Sequence, residues 1–153
     1  MAVSATEIRP EELARNLCDV ITYLCLAAPR GRRRSGDLKE AEFLTLSVLY
    51  RQRTLIVGDI QRILGVLPAQ MSRVIRSLED RERPLISCRI NPHDKRKIDV
   101  TMTPAGVRAF HEHQAARVGA LSRVLTRLPE EDLDDLQRLS EKLRDVLVQQ
   151  PVA

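Results

Sequence analysis

The sequence predicts a mainly α fold with a small β-hairpin wing, and three observations predict it. Between Asp59 and Gly106, a short amphipathic helix, a turn at Gly65 and a helix bearing Arg73 and Arg76 follow one another. A basic segment with two-residue alternation comes next and closes on Thr103-Pro104-Ala105-Gly106. Amphipathic stretches flank this unit on both sides. The order is that of a winged helix-turn-helix, which offers one helix to the DNA major groove and a hairpin to the backbone beside it. Three regions are therefore expected: an N-terminal dimerisation helix and basic loop over 1–36, the winged helix-turn-helix over 37–103, and C-terminal dimerisation helices over 104–153.

The first helix is expected over about Pro10 to Ala28, because Leu13, Leu17, Val20, Ile21 and Leu24 recur at three- and four-residue spacing. Pro29 ends it, and Arg30-Gly31-Arg32-Arg33-Arg34 reads as a loop. That loop is either a minor-groove arm, loosely like an AT-hook, or a solvated basic turn. A second helix, about Leu38 to Arg53, carries Phe43, Leu44, Leu46, Val48, Leu49 and Tyr50 nearly all round its circumference, which predicts a central position in the core.

Val57 to Leu64 reads as the first helix of the helix-turn-helix, with Ile60, Ile63 and Leu64 inward. Pro68, at the first helical position, opens the next helix, expected to run to about Arg83. There Met71, Val74, Ile75 and Leu78 share one face; Ala69, Arg73, Arg76, Ser77 and Asp80 lie opposite, flanked by Gln70 and Ser72. This polar face is the natural reader of DNA. Arginine to guanine is the commonest specific contact, whereas phosphate contacts only position, and a solvated helix face is the bland alternative.

Ile86, Cys88 and Ile90, then Ile98, Val100 and Met102, alternate with polar residues as in two half-buried strands. The tip between them holds Lys95, Arg96 and Lys97, suited to phosphate or the minor groove. Pro104 then starts a helix to about Leu128, Pro129 interrupts it, and a last helix from Glu130 carries Leu133, Leu136, Leu139, Leu143, Val146 and Leu147 on one stripe. The first and last helices are more amphipathic than a compact winged helix requires. A homodimer buries such stripes economically; a monomer that folds them back on itself is the alternative.

Composition excludes several classes. The formal net charge is +4, with basic residues concentrated from Arg51 to Lys97 and acids from Glu130 to Asp145, as suits one face toward DNA and another in solvent. No apolar run approaches the ~18 residues of a membrane span, and Met1 to Glu7 lacks signal-peptide character, so a cytoplasmic protein is expected. Aromatic residues make up only 3%, which argues against base stacking on aromatic platforms. Cys18, Cys25 and Cys88 are too few for a disulfide framework. His111 and His113 point about 200° apart on a helix and cannot share one metal within a subunit; a zinc site would need several helices, and no metal or cofactor is expected. The absence of a phosphate-cradling loop, a nucleophile elbow and a His-Glu-x-x-His motif argues against an enzyme.

At this point the sequence resembles the MarR family of bacterial transcriptional regulators, over about Leu38 to the C-terminus. The marks are Val57-Gly58-Asp59-Ile60-Gln61-Arg62-Ile63-Leu64-Gly65, the run Met71-Ser72-Arg73-Val74-Ile75-Arg76-Ser77-Leu78-Glu79, and Asn91-Pro92-His93-Asp94-Lys95-Arg96 before Thr103-Pro104-Ala105-Gly106. The resemblance implies a homodimeric repressor on a pseudo-palindromic operator, its recognition helices about 34–36 Å apart, relieved by a small ligand or by oxidation. It places Ala69, Gln70, Ser72, Arg73 and Arg76 at the groove, and makes Arg96 the minor-groove arginine that Asp94 orients. Two departures stand out. Leu67 replaces the usual capping Ser or Asp, a loss of ~1 kcal/mol. Glu82-Arg83-Pro84 stands where the family has a glycine.

The resemblance also points to a redox or effector pocket. The peroxide-sensing branch has a reactive cysteine after a leucine in a similar helix, like Asn16-Leu17-Cys18, and Tyr23, Cys25, Phe43 and Tyr50 are the nearest companions. The alternative is that Cys18 and Cys25 are small buried hydrophobes. Two other functions stay open: a thiol-based regulator using Cys18, and a winged-helix protein-interaction module without specific DNA binding.

Overall fold

The structure, a computed structural model, describes residues 9–27 and 37–149. The Arg30–Arg34 loop lies outside them. Helix α1 spans Pro10–Ala27. Helix α2 spans Glu40–Gln52, and its inward face comprises Glu42, Phe43, Thr45, Leu46 and Leu49. The expectation of burial all round is corrected: Leu44 and Tyr50 are exposed, and two polar side chains occupy the inner face. Thr45 is accommodated because its hydroxyl donates to the Ala41 carbonyl one turn back, at 2.7 Å.

Arg53, at φ 65°, ends α2 with its N–H on the Leu49 carbonyl and turns the chain into a strand absent from the sequence-based expectation, β1, Thr54–Ile56. Three residues are too few to show a period of two. Helix α3, Val57–Leu64, matches its predicted limits and ends at Gly65, whose φ of 64° is a left-handed conformation that glycine adopts without steric penalty. Helix α4, Pro68–Glu79, is shorter than expected. Pro84 disfavours helix at the residue before it, and the Leu85 N–H turns back to the Leu78 carbonyl at 2.9 Å.

Strands β2, Ile86–Ile90, and β3, Ile98–Met102, form the wing, and β1 joins the free edge of β3 in a three-stranded antiparallel sheet of order β1-β3-β2. Cys88 and Leu55 both oppose Val100. Helix α5, Pro104–Leu125, begins with the Thr103 hydroxyl accepting from the Gly106 N–H at 3.0 Å while donating to the Pro84 carbonyl at 2.6 Å. A Cβ on Gly106 would stand 2.0 Å from the Leu85 carbonyl oxygen, so only glycine lets β2 and α5 start side by side. Helix α6 spans Glu130–Gln149.

The core lies within the winged region. Leu46, Leu49, Ile60, Met71, Leu78, Ile86 and Val100 are fully buried, drawn from α2, α3, α4 and the sheet, with Phe110 of α5 closing one side. The flanks are different. Leu13, Leu17, Val20 and Ile21 of α1, and Leu136, Leu139, Leu143, Val146 and Leu147 of α6, are all exposed.

Candidate nucleic-acid interface

Helix α4 is held by an apolar face and presents a polar one. Met71, Val74 and Leu78 are buried, while Ala69, Gln70, Ser72, Arg73 and Arg76 are exposed, as their spacing predicts. Among the described residues neither Arg73 nor Arg76 has an ion-pair partner. Both guanidiniums therefore keep every donor available to an external acceptor. Pro68 occupies the first position, and the Leu67 side chain, 74% exposed, gives that end no acceptor. The helix opens with free N–H groups, which favour an anion.

Ser77 departs from the expected polar face. Its hydroxyl turns inward and donates to Glu42 Oε1, so it is not set out with Arg73 and Arg76. The reason is a charge sequence reading had missed: Glu42 is only 2% exposed, and its carboxylate accepts from three donors. These are the Ser77 hydroxyl, the Lys39 N–H at 2.7 Å and the Arg81 guanidinium at 3.0 Å, the last two on Oε2. A buried carboxylate is tolerable only when so satisfied; removing one partner of such a pair costs ~3–5 kcal/mol. The signal was in the sequence, since Glu42, Leu46 and Leu49 share one helical stripe.

The wing is built around two polar side chains. Asn91 bridges the hairpin, donating from Nδ2 to Asp99 at 2.9 Å while its Oδ1 accepts from the His93 and Asp94 N–H groups. Asp94 in turn accepts from the Arg96 N–H at 3.1 Å and lies 3.9 Å from the Arg96 guanidinium and 3.8 Å from the Lys97 ammonium. The turn is thereby fixed from inside, and Lys95, Arg96 and Lys97 are exposed, Arg96 at 96%. Ile90 and Ile98, opposite each other on the sheet, continue the apolar face beyond the core and are exposed.

The second expected cluster is divided. Phe43 and Tyr50 both stack on Phe110, at 5.6 and 4.8 Å between ring centroids. Arg117 lies over the Phe43 ring at 4.4 Å and pairs with Glu40. His113 packs on Phe43 and His111 stands edge-on to Tyr50. Burial, with Arg117 nearby, pushes His113 below the usual imidazole range. An open cleft of about 300 Å³ beside Tyr50 is bordered by Arg53, Thr54, Thr101 and Met102. Cys18, Tyr23 and Cys25 stand exposed on α1 instead, which corrects the reading of the two cysteines as buried hydrophobes within one chain. Cys88 is half-buried on the wing strand, and burial, reinforced by Glu79, raises its thiol to about 11. It is protonated at neutral pH and a poor nucleophile.

Comparison with known proteins agrees with this architecture. Residues 38–98 match the MarR family. The chain is 29% identical over 103 residues to the HTH-type transcriptional repressor MdtR of Bacillus subtilis, a match spanning 67% of this chain and 65% of that protein. It superposes on wild-type apo MarR from E. coli with a TM-score of 0.72 and 18% identity, covering 90% of this chain and 98% of that one. Bordetella bronchiseptica BpsR, whose DNA binding is regulated by 6-hydroxynicotinic acid, gives a TM-score of 0.62 and 20% identity, with 87% and 98% covered.

Proposed function

We propose that this chain, whose residues 38–98 match the MarR family, is a homodimeric transcriptional repressor that reads a pseudo-palindromic operator in double-stranded DNA. The observation that carries the reading is α4: two exposed arginines with no ion-pair partner among the described residues, on a helix that packs against the wing strand β2. Arg73 and Arg76 read bases, Gln70 and Ser72 support them, Ala69 admits the helix close to the groove floor, and Lys95, Arg96 and Lys97 hold the flanking backbone. Asp94 orients Arg96. Ser77 serves from within the fold.

The flanks support the dimer. In this structure the apolar stripes of α1 and α6 do not fold back on the winged region, so a second copy is the cover that also supplies the second half-site. The reading extends to relief of binding by a small ligand, supported by the control of BpsR by 6-hydroxynicotinic acid. A ligand that changes the spacing of the two α4 helices weakens binding because both half-sites must be met together. A DNA-bound regulator of this kind works in the cytoplasm and is not an enzyme.

Arg73→Ala tests the reading. Loss of a bidentate base contact is expected to cost about 1–3 kcal/mol of operator affinity per half-site, with thermal stability unchanged, in fluorescence anisotropy on the selected operator. Full retention of affinity in both Arg73→Ala and Arg76→Ala removes α4 as the reader.

A further inference from the structure

We infer that Glu42, which is too deep to touch DNA, is a positioning residue for the reading helix: it sets the rotation of α4 about its own axis and hence where Arg73 and Arg76 point. The inference rests on the proposal that α4 reads DNA. Apolar contacts alone leave this rotation loosely defined, because Met71, Val74 and Leu78 pack without directional preference. Charge-assisted hydrogen bonds are directional. Glu42 supplies them to the last turn of α4 and to the turn just past it: the Ser77 hydroxyl sits on Oε1 and the Arg81 guanidinium on Oε2.

The geometry links this anchor to the reading face. Arg73, Ser77 and Arg81 are spaced four residues apart, so the anchored Ser77 is the next member of the row that begins at exposed Arg73. A rotation of about 10° moves a side chain at ~5–6 Å from the helix axis by ~1 Å, enough to spoil a bidentate contact whose hydrogen bonds tolerate only a few tenths of an ångström. The carboxylate is itself fixed, because Oε2 also accepts from the Lys39 N–H at the start of α2. The same turn of α2 pairs Glu40 with Arg117 of α5. The first turn of α2 therefore touches the reading helix through Glu42 and α5 through Glu40.

The test compares Glu42→Gln, Ser77→Ala and the double variant with the wild type on operator and random duplexes at one salt concentration. Glu42→Gln keeps the shape and one acceptor while removing the charge. Each single variant, at a temperature where it is fully folded, is expected to lose about tenfold or more on the operator while keeping its affinity for random DNA, because phosphate contacts tolerate misplacement. The double variant should lose little more than either single one, since both remove the same anchor. Glu42→Leu serves as the stronger perturbation, and amide exchange along α4 reports whether its last turn is released. Equal losses on operator and random DNA, or additive losses, reduce Glu42 to a stability residue and overturn the inference. Unchanged operator affinity in both single variants, with Arg73→Ala still defective, overturns it while leaving the DNA reading intact. A wild type that prefers no DNA sequence overturns both.

Discussion

The winged region and the flanking helices solve the same problem in opposite ways. In the former, Leu46, Ile60, Met71, Leu78 and Val100 are removed from water by neighbours within one chain, and the sole buried carboxylate found among the described residues has three hydrogen-bond donors. In the latter, Leu139, Leu143, Val146 and Leu147 of α6 remain between 51% and 65% exposed, although their spacing is as regular as any in the core. The contrast teaches that amphipathic periodicity specifies a face to be buried without specifying by which chain. The winged unit buries its apolar face within one copy; the flanks leave theirs exposed.

The largest effect is expected at the most crowded point of the winged unit. Gly106→Val should destabilise the chain by about 3 kcal/mol or more, read by urea denaturation, since its Cβ meets the Leu85 carbonyl oxygen and neither backbone can yield without breaking the Thr103 cap. A loss below about 1 kcal/mol would show that this junction is pliable. Leu143→Glu on α6 probes the other side of the comparison. Burying a leucine contributes roughly 1.5–3 kcal/mol, and a two-fold interface doubles it, so dimer association should weaken at least ~100-fold in sedimentation while the winged unit stays folded. If the variant sediments as the wild type does, α6 is not in the interface.

How far these two regions could be read in advance differs for the same physical reason. Helices α3 and α5, the wing strands and the stripe of α6 were legible because their periods repeat over several turns or pairs. Strand β1 was not, since it exists only because Arg53 turns the chain against the edge of β3. Of the candidate interface, Arg73, Arg76 and the wing cations followed from spacing. The inward turn of Ser77 did not, because its partner, Glu42, lies thirty-five positions away in the chain. Long-range pairing of polar groups leaves no periodic trace. The exposure of Cys18 and Cys25 was hidden similarly, because a helix in a monomer and the same helix in a dimer have one sequence.

The smallest effect is expected at the entrance to α4. Leu67→Ser supplies the missing acceptor to the first turn and should stabilise the chain by about 1 kcal/mol without moving the reading face. No gain, or a loss, in thermal denaturation would mean that exposed Leu67 is covered by something outside the single chain.

The most direct measurement is a footprint of the purified protein on DNA upstream of its own gene, at physiological salt with excess competitor. A two-fold-symmetric protected site of about two helical turns is expected, each half centred on one α4 helix. Protection that lacks symmetry, or binding that spreads along the duplex without a discrete boundary, would contradict a dimeric reader and leave the winged unit as a surface for other partners.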